Sequence, residues 1–372
     1  MIWILLSFVI IIIILAIDKK FYEQFSGIFY MISILSLVGL FVFGNNINGA
    51  TSWYSFGSFG IQPSEFAKAA TALAIANYLN ERNQDLRKLS NQLKAFGIIF
   101  LPALLITFQP DPGSALVYGS LILVLYQFGL PLYYLVIGFL GLLLFIITLY
   151  LGSIGTLIIT ASVISALFIY LMYKNKKYFR HNWMRFLLIY FFTSLFIISV
   201  DYVFNNVFEQ RHRDRFNILL GKDVDDQGIG YNTAQSVITI GSGGASGKGF
   251  LQGDRTQGDF VPEQQTDYIF STVGEEWGFL GSSFVILLFM AFLIRLLFIA
   301  DRQKSIFSKV FSYATVAIFF FHFTINIGMV IGLLPTIGIP LPFFSYGGSS
   351  LWGFTVLLFI LIRLDADRIY EW

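Results

Sequence analysis

Apolar runs of helical length recur along the 372-residue chain and limit the folds open to it. A membrane-spanning helix needs about 20 apolar residues, because every backbone polar group must bond inside the segment. Charged residues make up only 12% of the chain, whereas a soluble domain has about 25%. We therefore predict an all-α polytopic membrane protein with about 10–11 transmembrane helices. The eleven predicted spans are Ile2–Ile17, Ile28–Phe43, Glu65–Leu79, Phe96–Phe108, Ser114–Phe128, Tyr133–Leu151, Ile154–Met172, Phe186–Phe204, Phe270–Ile299, Ser312–Ile331 and Leu351–Leu364.

The composition excludes several classes of function. The net charge of +2 is too small to indicate a nucleic-acid partner. Cysteine is absent, so the chain has no disulfide framework, no thiolate nucleophile and no Cys-based metal site. His181, His212 and His322 lie far apart in sequence, so we predict no metal ligands. The first apolar run has no basic leader and no A-x-A-like site, so we expect it to be retained.

Lysine and arginine indicate which connections are cytoplasmic. They concentrate in alternate connections between the predicted spans, and such clusters face the cytoplasm. The long polar segment, about residues 205–266, then forms one large extracytoplasmic loop, with Met1 outside and the C-terminus inside. The basic connections are those around Lys19, Lys88, Lys176, Arg302 and Arg368.

The polar segment ends in Phe260–Gly278, FVPEQQTDYIFSTVGEEWG, which leads directly into an apolar span. Asp267 stands at the mouth of that span, where a carboxylate is costly and is by default a functional candidate. An acid also suits the first turn of a helix, because it favours the positive end of the helix dipole. Spacing alone leaves a functional and a purely local interpretation of Asp267 open.

The loop Asn48–Ser64, NGATSWYSFGSFGIQPS, is rich in turn-forming glycines and precedes a predicted helix with Ser64 as its N-cap. Glu65 and Lys68 follow at a spacing of three residues, which places them on one helix face where they can pair. Each charge alone costs about 2.5–3.5 kcal/mol deep in a bilayer. Two interpretations stay open: a structural ion pair, or a polar floor beneath an outward-facing cavity.

Two further polar segments lie at the ends of predicted spans. Gln109–Gly113, QPDPG, is typical of a turn between helices with Asp111 as an N-cap. Glu209–Asp226 mixes Arg213, Arg215 and other basic residues such as Lys222 with acids. That mixture suits a solvated surface, and arginine also suits phosphate and pyrophosphate.

The segment Gly241–Gly249, GSGGASGKG, resembles a nucleotide-binding loop but does not match one. A P-loop needs G-x-x-x-x-G-K-[ST], whereas here Gly249 follows Lys248 and the first position is Ser242. We predict a flexible backbone with Lys248 as a point charge. The preceding Gly230–Ile240 is typical of a short amphipathic helix on the membrane surface.

The segment Asn326–Ser350, NIGMVIGLLPTIGIPLPFFSYGGSS, interrupts an apolar run with three prolines and five glycines. Irregular backbone at membrane depth occurs only against protein or a water-filled cavity. The sequence therefore predicts a re-entrant or broken-helix element beside a cavity.

Five ordered blocks together resemble the RodA/FtsW (SEDS) family of bacterial peptidoglycan glycosyltransferases, and within it the RodA branch. The resemblance covers most of the chain from Asn48 to Ser350. The blocks are NGATSWYSFGSFGIQPSEFAK, FQPDPGSAL, AQSVITIGSGGASGKGF, FVPEQQTDYIFSTVGEEWGFLGS and NIGMVIGLLPTIGIPLPFFSYGGSS.

The resemblance implies one SEDS-type integral membrane domain over residues 1–372. It implies an enzyme of the bacterial cytoplasmic membrane that polymerises lipid II during cell elongation, with its active site on the extracytoplasmic side. The implied partners are lipid II, a class B penicillin-binding protein, other elongation-complex membrane proteins and membrane lipid. The resemblance demands no cofactor but leaves room for a divalent cation, Mg²⁺ or Mn²⁺.

The same resemblance suggests the site residues. It places the family's essential aspartate on Asp267, which would act as a general base. The family's cavity pair would be Glu65 and Lys68, and its R-x-R would be Arg213 and Arg215. The full set of predicted substrate-binding residues is Glu65, Lys68, Arg213, Arg215, Lys248, Thr266 and Ser345.

The chain also departs from the family pattern. Gln265 replaces a histidine common before the Thr-Asp pair, and Ser52 replaces an arginine of the first outer loop. The family usually has about ten spans. This chain is expected to lack the first of them and to add Tyr133–Leu151 and Ile154–Met172.

Two other functions remain open at the level of sequence. A flippase for lipid-linked precursors would also need a polar cavity and a broken helix. A scaffold that activates a penicillin-binding protein would need no chemistry of its own. Loss of Asp267 discriminates among the three, since only the enzyme depends on that carboxylate.

Overall fold

The structure is a computed structural model that describes residues 2–47, 49–57, 59–81, 85–174, 176–208, 210–220 and 229–368. Met1, Asn48, Glu209, Lys222 and Asp226, which entered the sequence-based expectations, lie outside the described residues. The helices are α1 Ile2–Ala16, α2 Lys19–Phe43, α3 Pro63–Asn80, α4 Leu89–Thr107, α5 Pro112–Val117, α6 Leu121–Gln127, α7 Tyr133–Lys174, α8 Lys176–Tyr202, α9 Gln210–Leu219, α10 Ile229–Ser242, α11 Asp254–Gln257, α12 Ile269–Asp301, α13 Ile306–Val330 and α14 Gly348–Asp367. The strands are β1 Asn45–Ile47, β2 Ala50–Phe56 and β3 Phe59–Ile61.

All eleven apolar runs lie on helices, which confirms the predicted helical membrane class. Within the described residues, 7 helices are long and apolar enough to cross a membrane. The run Ser114–Phe128 is interrupted by a 3₁₀ turn at Tyr118–Ser120 between α5 and α6. The 7 helices are α2, α4, α7, α8 from Trp183, α12, α13 and α14.

The chain forms two compact units, one of residues 133–231 and one of residues 1–132 with 232–372. In the first unit α7 packs against α8. α7 breaks at Gly152, with φ 78°. The Thr156 hydroxyl donates to the Ile147 carbonyl at 3.3 Å, although nine residues of straight helix span about 13 Å. The break therefore separates the predicted runs Tyr133–Leu151 and Ile154–Met172. The core of this unit contains Leu149, Val200 and Phe204.

The second unit is built around α13. This helix packs against α3, α12 and α14. Phe311, Ala314 and Phe319 on α13 are buried almost completely. Because α13 packs against protein on several sides, a polar side chain on its buried faces is costly unless it is hydrogen-bonded.

The loop before α3 folds into a small antiparallel sheet of order β1-β2-β3, which the all-α expectation did not include. The glycines of this loop were expected to form turns, but Gly60 lies in β3 and pairs with Ser55 of β2. The predicted N-cap is also wrong: Gln62 caps α3, Pro63 is its first residue, and Ser64 lies inside the first turn. Proline is suited to that first position because its fixed φ fits a helix and it has no N–H to leave unpaired. By contrast, Asp111 caps α5 as predicted, accepting from the Ser114 amide at 3.0 Å.

α12 is broken at Gly278, where φ is 63° and ψ is −160°. The glycine-rich loop 243–249, which we call the glycine clasp, supplies the backbone bonds that the break removes. The amides of Lys248 and Gly249 donate to the carbonyls of Glu275 and Glu276 at 3.0 and 2.9 Å. In the other direction, the amides of Phe279 and Leu280 donate to the carbonyls of Gly244 and Ala245, at 2.9 and 3.1 Å.

The glycine clasp corrects the expectation of a flexible backbone between Gly241 and Gly249. The segment is rich in glycine because two stretches of backbone approach each other closely. A Cβ at Gly247 would collide with the Glu276 carbonyl oxygen, and one at Gly278 would collide with the Gly247 amide. The clasp thereby fixes the backbone on both sides of the break in α12.

We expect Gly247→Ala to destabilise the protein more than Gly244→Ala. Both glycines have positive φ, 79° and 58°, so both substitutions carry the cost of a left-handed residue, about 1–2 kcal/mol. Only at Gly247 does the added Cβ also meet backbone, whereas Gly244 has open space. Unfolding free energies of the purified variants in detergent micelles measure the difference. Equal losses would contradict the role given to the clasp.

Candidate active site

Asp267 lies in the polar segment between α11 and α12, two residues before α12 begins, and its side chain is half-buried. A tight turn precedes it: the amides of Thr266, Asp267 and Tyr268 all donate to the Glu263 carbonyl, at 3.2, 3.0 and 3.3 Å. The first turn of α12, whose residues are all described, contains no acidic residue. The interpretation of Asp267 as a first-turn acid is therefore wrong, and its functional interpretation stays a prediction.

Thr266 and Ser345, two predicted substrate-binding residues, both make local hydrogen bonds. The Thr266 hydroxyl donates to the Glu263 carboxylate at 3.1 Å. The Ser345 hydroxyl accepts from the Leu341 amide at 2.8 Å and so closes a turn. Their roles toward a substrate stay predictions.

The irregular segment 331–347 between α13 and α14 packs directly against the Asp267 turn. The Tyr346 amide donates to the Gln265 carbonyl at 2.8 Å. A Cβ at Gly338 would lie 3.3 Å from Oδ2 of Asp267. The predicted broken-helix element therefore forms one wall beside the candidate carboxylate.

Hydroxyl groups connect the same wall to α10. The Tyr268 hydroxyl lies 2.7 Å from Oγ1 of Thr336, which lies 2.8 Å from Oγ1 of Thr233. Since Thr233 is on α10 and Thr336 is in the irregular segment, the residue after Asp267 bridges both elements.

Glu65 and Lys68 pair as their spacing predicts, and both are almost completely buried. The Lys68 ammonium lies 2.9 Å from each Glu65 carboxylate oxygen and 2.9 Å from Nε2 of His322. It also lies 5.2 Å from the centre of the Phe354 ring. Such burial favours a structural ion pair over a polar floor open to solvent, and contact with substrate stays a prediction.

The sequence did not predict the role of His322, because histidine was considered there only as a metal ligand. Its Nδ1 lies 3.1 Å from the Pro340 carbonyl. This contact requires Nδ1 to carry the proton, so Nε2 accepts from Lys68. The signal that could have indicated this role is the presence of a polar residue within a long apolar run.

Lys248 is held in an ion pair, although it was expected to be a free point charge. Its ammonium lies 2.6 Å from the buried carboxylate of Glu275 and 3.2 Å from Asp254. The amides of Arg255 and Thr256 donate to the same carboxylate, at 3.1 and 2.8 Å. Lys248 therefore supports the glycine clasp. Its role as a phosphate ligand stays a prediction.

The hydrogen bond that the Lys248 ammonium donates to the Glu275 carboxylate raises the pKa of Lys248 above its ordinary value. A raised folded-state pKa of a lysine stabilises the fold below its ordinary pKa of about 10.4, and this contribution is lost as the pH rises through the raised value. Lys248 therefore carries its positive charge at physiological pH.

Arg213 and Arg215 lie on α9, in the unit of residues 133–231. The Arg213 guanidinium donates to the Asn205 carbonyl at 2.9 Å. The other predicted site residues belong to the second unit. The phosphate-binding role of the two arginines stays a prediction.

The described residues contain no group of three His, Asp or Glu side chains that could hold a metal ion. Mg²⁺ is often held by one or two carboxylates together with substrate phosphates. Asp267 fits that pattern as a single carboxylate.

The fold and site define a polytopic helical membrane protein with one candidate carboxylate beside an irregular segment. A family model, FTSW_RODA_SPOVE, described as "Cell cycle protein", matches residues 1–177 and 153–370. The chain belongs to this family.

Proteins of this kind from several bacteria are similar over nearly the full chain. The peptidoglycan glycosyltransferase RodA of Treponema pallidum is 33% identical, with 99% of this chain and 89% of the relative aligned. The peptidoglycan glycosyltransferase MrdB of Escherichia coli K12 is 34% identical over 93% of this chain and 79% of the relative. A probable peptidoglycan glycosyltransferase FtsW of Shewanella sediminis is 30% identical over 97% and 75%.

Solved structures show the same fold. One is described as "Structural coordination of polymerization and crosslinking by a peptidoglycan synthase complex". It aligns with a TM-score of 0.71 at 23% identity, covering 100% of this chain and 89% of that one. The crystal structure of Thermus thermophilus rod shape determining protein RodA aligns with a TM-score of 0.62 at 21% identity, covering 100% and 87%.

We expect Lys68→Met alone to destabilise the protein by about 3–5 kcal/mol, because it leaves the buried Glu65 carboxylate without its cation. The double variant Glu65→Leu, Lys68→Met removes both charges, so it should recover much of that loss. Unfolding free energies in mixed micelles give the double-mutant cycle. Strictly additive losses would contradict a buried pair.

Proposed function

We propose that this protein, a peptidoglycan glycosyltransferase, polymerises lipid II into glycan strands during cell elongation, with Asp267 as the general base. Family membership along nearly the whole chain supports the activity. The observation that supports the residue is the position of Asp267: a half-buried carboxylate held between a tight turn and the irregular segment.

In the proposed reaction, the 4-hydroxyl of an acceptor sugar attacks C1 of a donor glycan. The new C1–O bond forms as the bond from C1 to the pyrophosphate oxygen breaks, and polyprenyl pyrophosphate leaves. Asp267 takes the hydroxyl proton, a contribution of about 10²–10⁴-fold in rate. An α-linked donor then gives a β-linked product in one inverting displacement.

The leaving pyrophosphate needs positive charge close to its oxygens. Arg213 and Arg215 are the proposed ligands, since a guanidinium matches phosphate geometry, and Lys248 is a further cation. A divalent cation, Mg²⁺ or Mn²⁺, would be held by Asp267 and the pyrophosphate and would neutralise the developing charge. Glu65, Lys68, Thr266 and Ser345 are proposed to line the substrate path.

We place the reaction at the outer face of the bacterial cytoplasmic membrane. The asymmetry of lysine and arginine supports this side, because it places the segment that contains Asp267 opposite the basic connections. A class B penicillin-binding protein is the proposed partner. The similar structure described as a complex for polymerization and crosslinking supports it.

We expect Asp267→Ala and Asp267→Asn to abolish polymer formation, because neither side chain accepts a proton from the attacking hydroxyl. The measurement is glycan-strand formation from labelled lipid II by purified protein with its penicillin-binding partner. The assay is run with Mg²⁺, with Mn²⁺ and with a chelator. Asp259→Asn is the matched control: this exposed carboxylate lies in the same segment, and asparagine tolerates its φ of 50°.

Full activity of Asp267→Asn would remove Asp267 from the catalytic role. Activity of the partner that survives loss of Asp267, without glycan synthesis by the native chain, would indicate a scaffold. Movement of labelled lipid II across vesicles that survives the same loss would indicate a flippase. Activity that the chelator abolishes and Mg²⁺ restores would support the cation.

A further inference from the structure

Two polar side chains of α13, His322 and Asn326, lie four residues apart on one helix face. Their exposed fractions are only 1% and 0%. The rest of the helix around them is mostly apolar. A polar group buried in such surroundings is costly unless its hydrogen bonds are made. The partners of these two residues therefore indicate what the helix face does.

Asn326 connects the Asp267 turn to the irregular segment. Its Nδ2 donates to the Asp267 backbone carbonyl at 2.9 Å and to the Ile339 carbonyl at 2.7 Å. A side-chain amide nitrogen carries two N–H donors, so one asparagine serves both carbonyls. The two acceptors come from chain segments that are distant in sequence. The amide therefore sets the distance between them.

A polar side chain buried at position 326 costs free energy. Among the described residues, no group donates to its buried Oδ1. Rotating the amide by 180° would place Oδ1 against both carbonyls, which are also acceptors, so the observed orientation is the one that chemistry allows. Both N–H donors of Asn326 are therefore bonded, whereas its Oδ1 acceptor has no donor among the described residues.

His322 holds the next residue of the same segment. Its ring accepts from Lys68 and donates to the Pro340 carbonyl. The buried Glu65–Lys68 pair, His322 and Asn326 therefore act on the adjacent carbonyls of Ile339 and Pro340. Gly338 precedes Ile339 and lies beside the Asp267 carboxylate, since a Cβ added there would lie 3.3 Å from Oδ2 of Asp267.

We propose that Asn326 is a positioning residue that places the Asp267 carboxylate for proton transfer, with the Lys68–His322 pair supporting the same segment. This inference rests on the proposed function of Asp267. A general base acts only within hydrogen-bond reach of the proton it takes, and a displacement of about 1 Å can lower the rate 10²-fold. In this role Asn326 itself neither binds the substrate nor takes the proton. It acts on the main chain of Asp267.

The test compares four substitutions in the full chain, assayed with its penicillin-binding partner. Asn326→Asp keeps the size but replaces both donors with an acceptor, and Asn326→Leu removes all polarity. Asn326→Gln keeps the two donors on a longer side chain. Ser312→Ala is the control on the same helix: Ser312 is fully buried, and its hydroxyl has no partner among the described residues.

We expect Asn326→Asp and Asn326→Leu to lower kcat for lipid II polymerisation by about 10–100-fold while KM stays within about twofold. Asn326→Gln should restore part of kcat, and Ser312→Ala should leave it unchanged. A merely structural role predicts instead a loss of active protein with native kcat per folded molecule. The folded fraction, measured by thermal unfolding of each variant, separates these cases.

Hydrogen–deuterium exchange tests the anchor without relying on activity. Peptides covering residues 336–346 contain the Tyr346 amide, which donates to Gln265. We expect these peptides to exchange faster in Asn326→Asp and Asn326→Leu and at the native rate in Ser312→Ala. Unchanged exchange in both Asn326 variants would overturn the inference.

The two proposals fail in different ways. If Asp267→Asn is inactive while Asn326→Asp keeps native kcat, the positioning role alone is overturned. If Asp267→Asn polymerises lipid II normally, the proposed function fails, and catalytic positioning fails with it even where exchange shows the anchor. Inactivity of Asp267→Asn, together with a kcat loss and faster exchange in Asn326→Asp, supports both.

Discussion

The cost of burying polar groups without partners constrains the unit that contains α13. In surroundings of low dielectric constant an unpaired donor or charge is costly, so partners decide where the chain can bend. The Lys68 ammonium is surrounded by Glu65, His322 and the Phe354 ring. The Asn326 side-chain amide also has its partners inside the protein, because it donates to two backbone carbonyls. The irregular segment is stable because side chains of α13 supply bonds that a helix would make within itself.

The helix break at Gly278 meets the same requirement with backbone instead of side chains. The glycine clasp returns four hydrogen bonds to the amides and carbonyls around the break. Glu275 then secures the clasp through Lys248 and the amides of α11. Asp267 thus lies beside the irregular segment and just before the broken helix α12, and both elements are held by hydrogen bonds from other parts of the chain. A half-buried carboxylate whose main chain is held by such bonds can be oriented toward the proton that it takes. A general base requires this orientation.

The sequence predicts those features that depend on residues close together in the chain. The helices follow from apolar runs, the Glu65–Lys68 pair from its spacing, and the Asp111 cap from its turn. The small sheet and the break at Gly278 were missed, because both depend on pairing between segments that apolar periodicity does not register. In the sequence, Asn326 is only the first residue of an irregular segment. Its two acceptors lie elsewhere in the chain, so no local pattern indicated its function.

The glycine clasp also bears on the order in which the site is completed during synthesis. The clasp joins residues 243–249 to residues 275–280, which are close in sequence, so it can close soon after the start of α12 has been made. The bonds from Asn326 and Tyr346 to the Asp267 turn need chain that is made much later. Because a growing chain acquires structure from its N-terminal side first, the helix break that follows the candidate base can form before the surroundings of that base are complete. Its final geometry belongs to the last stage of assembly, when the segment before α14 arrives.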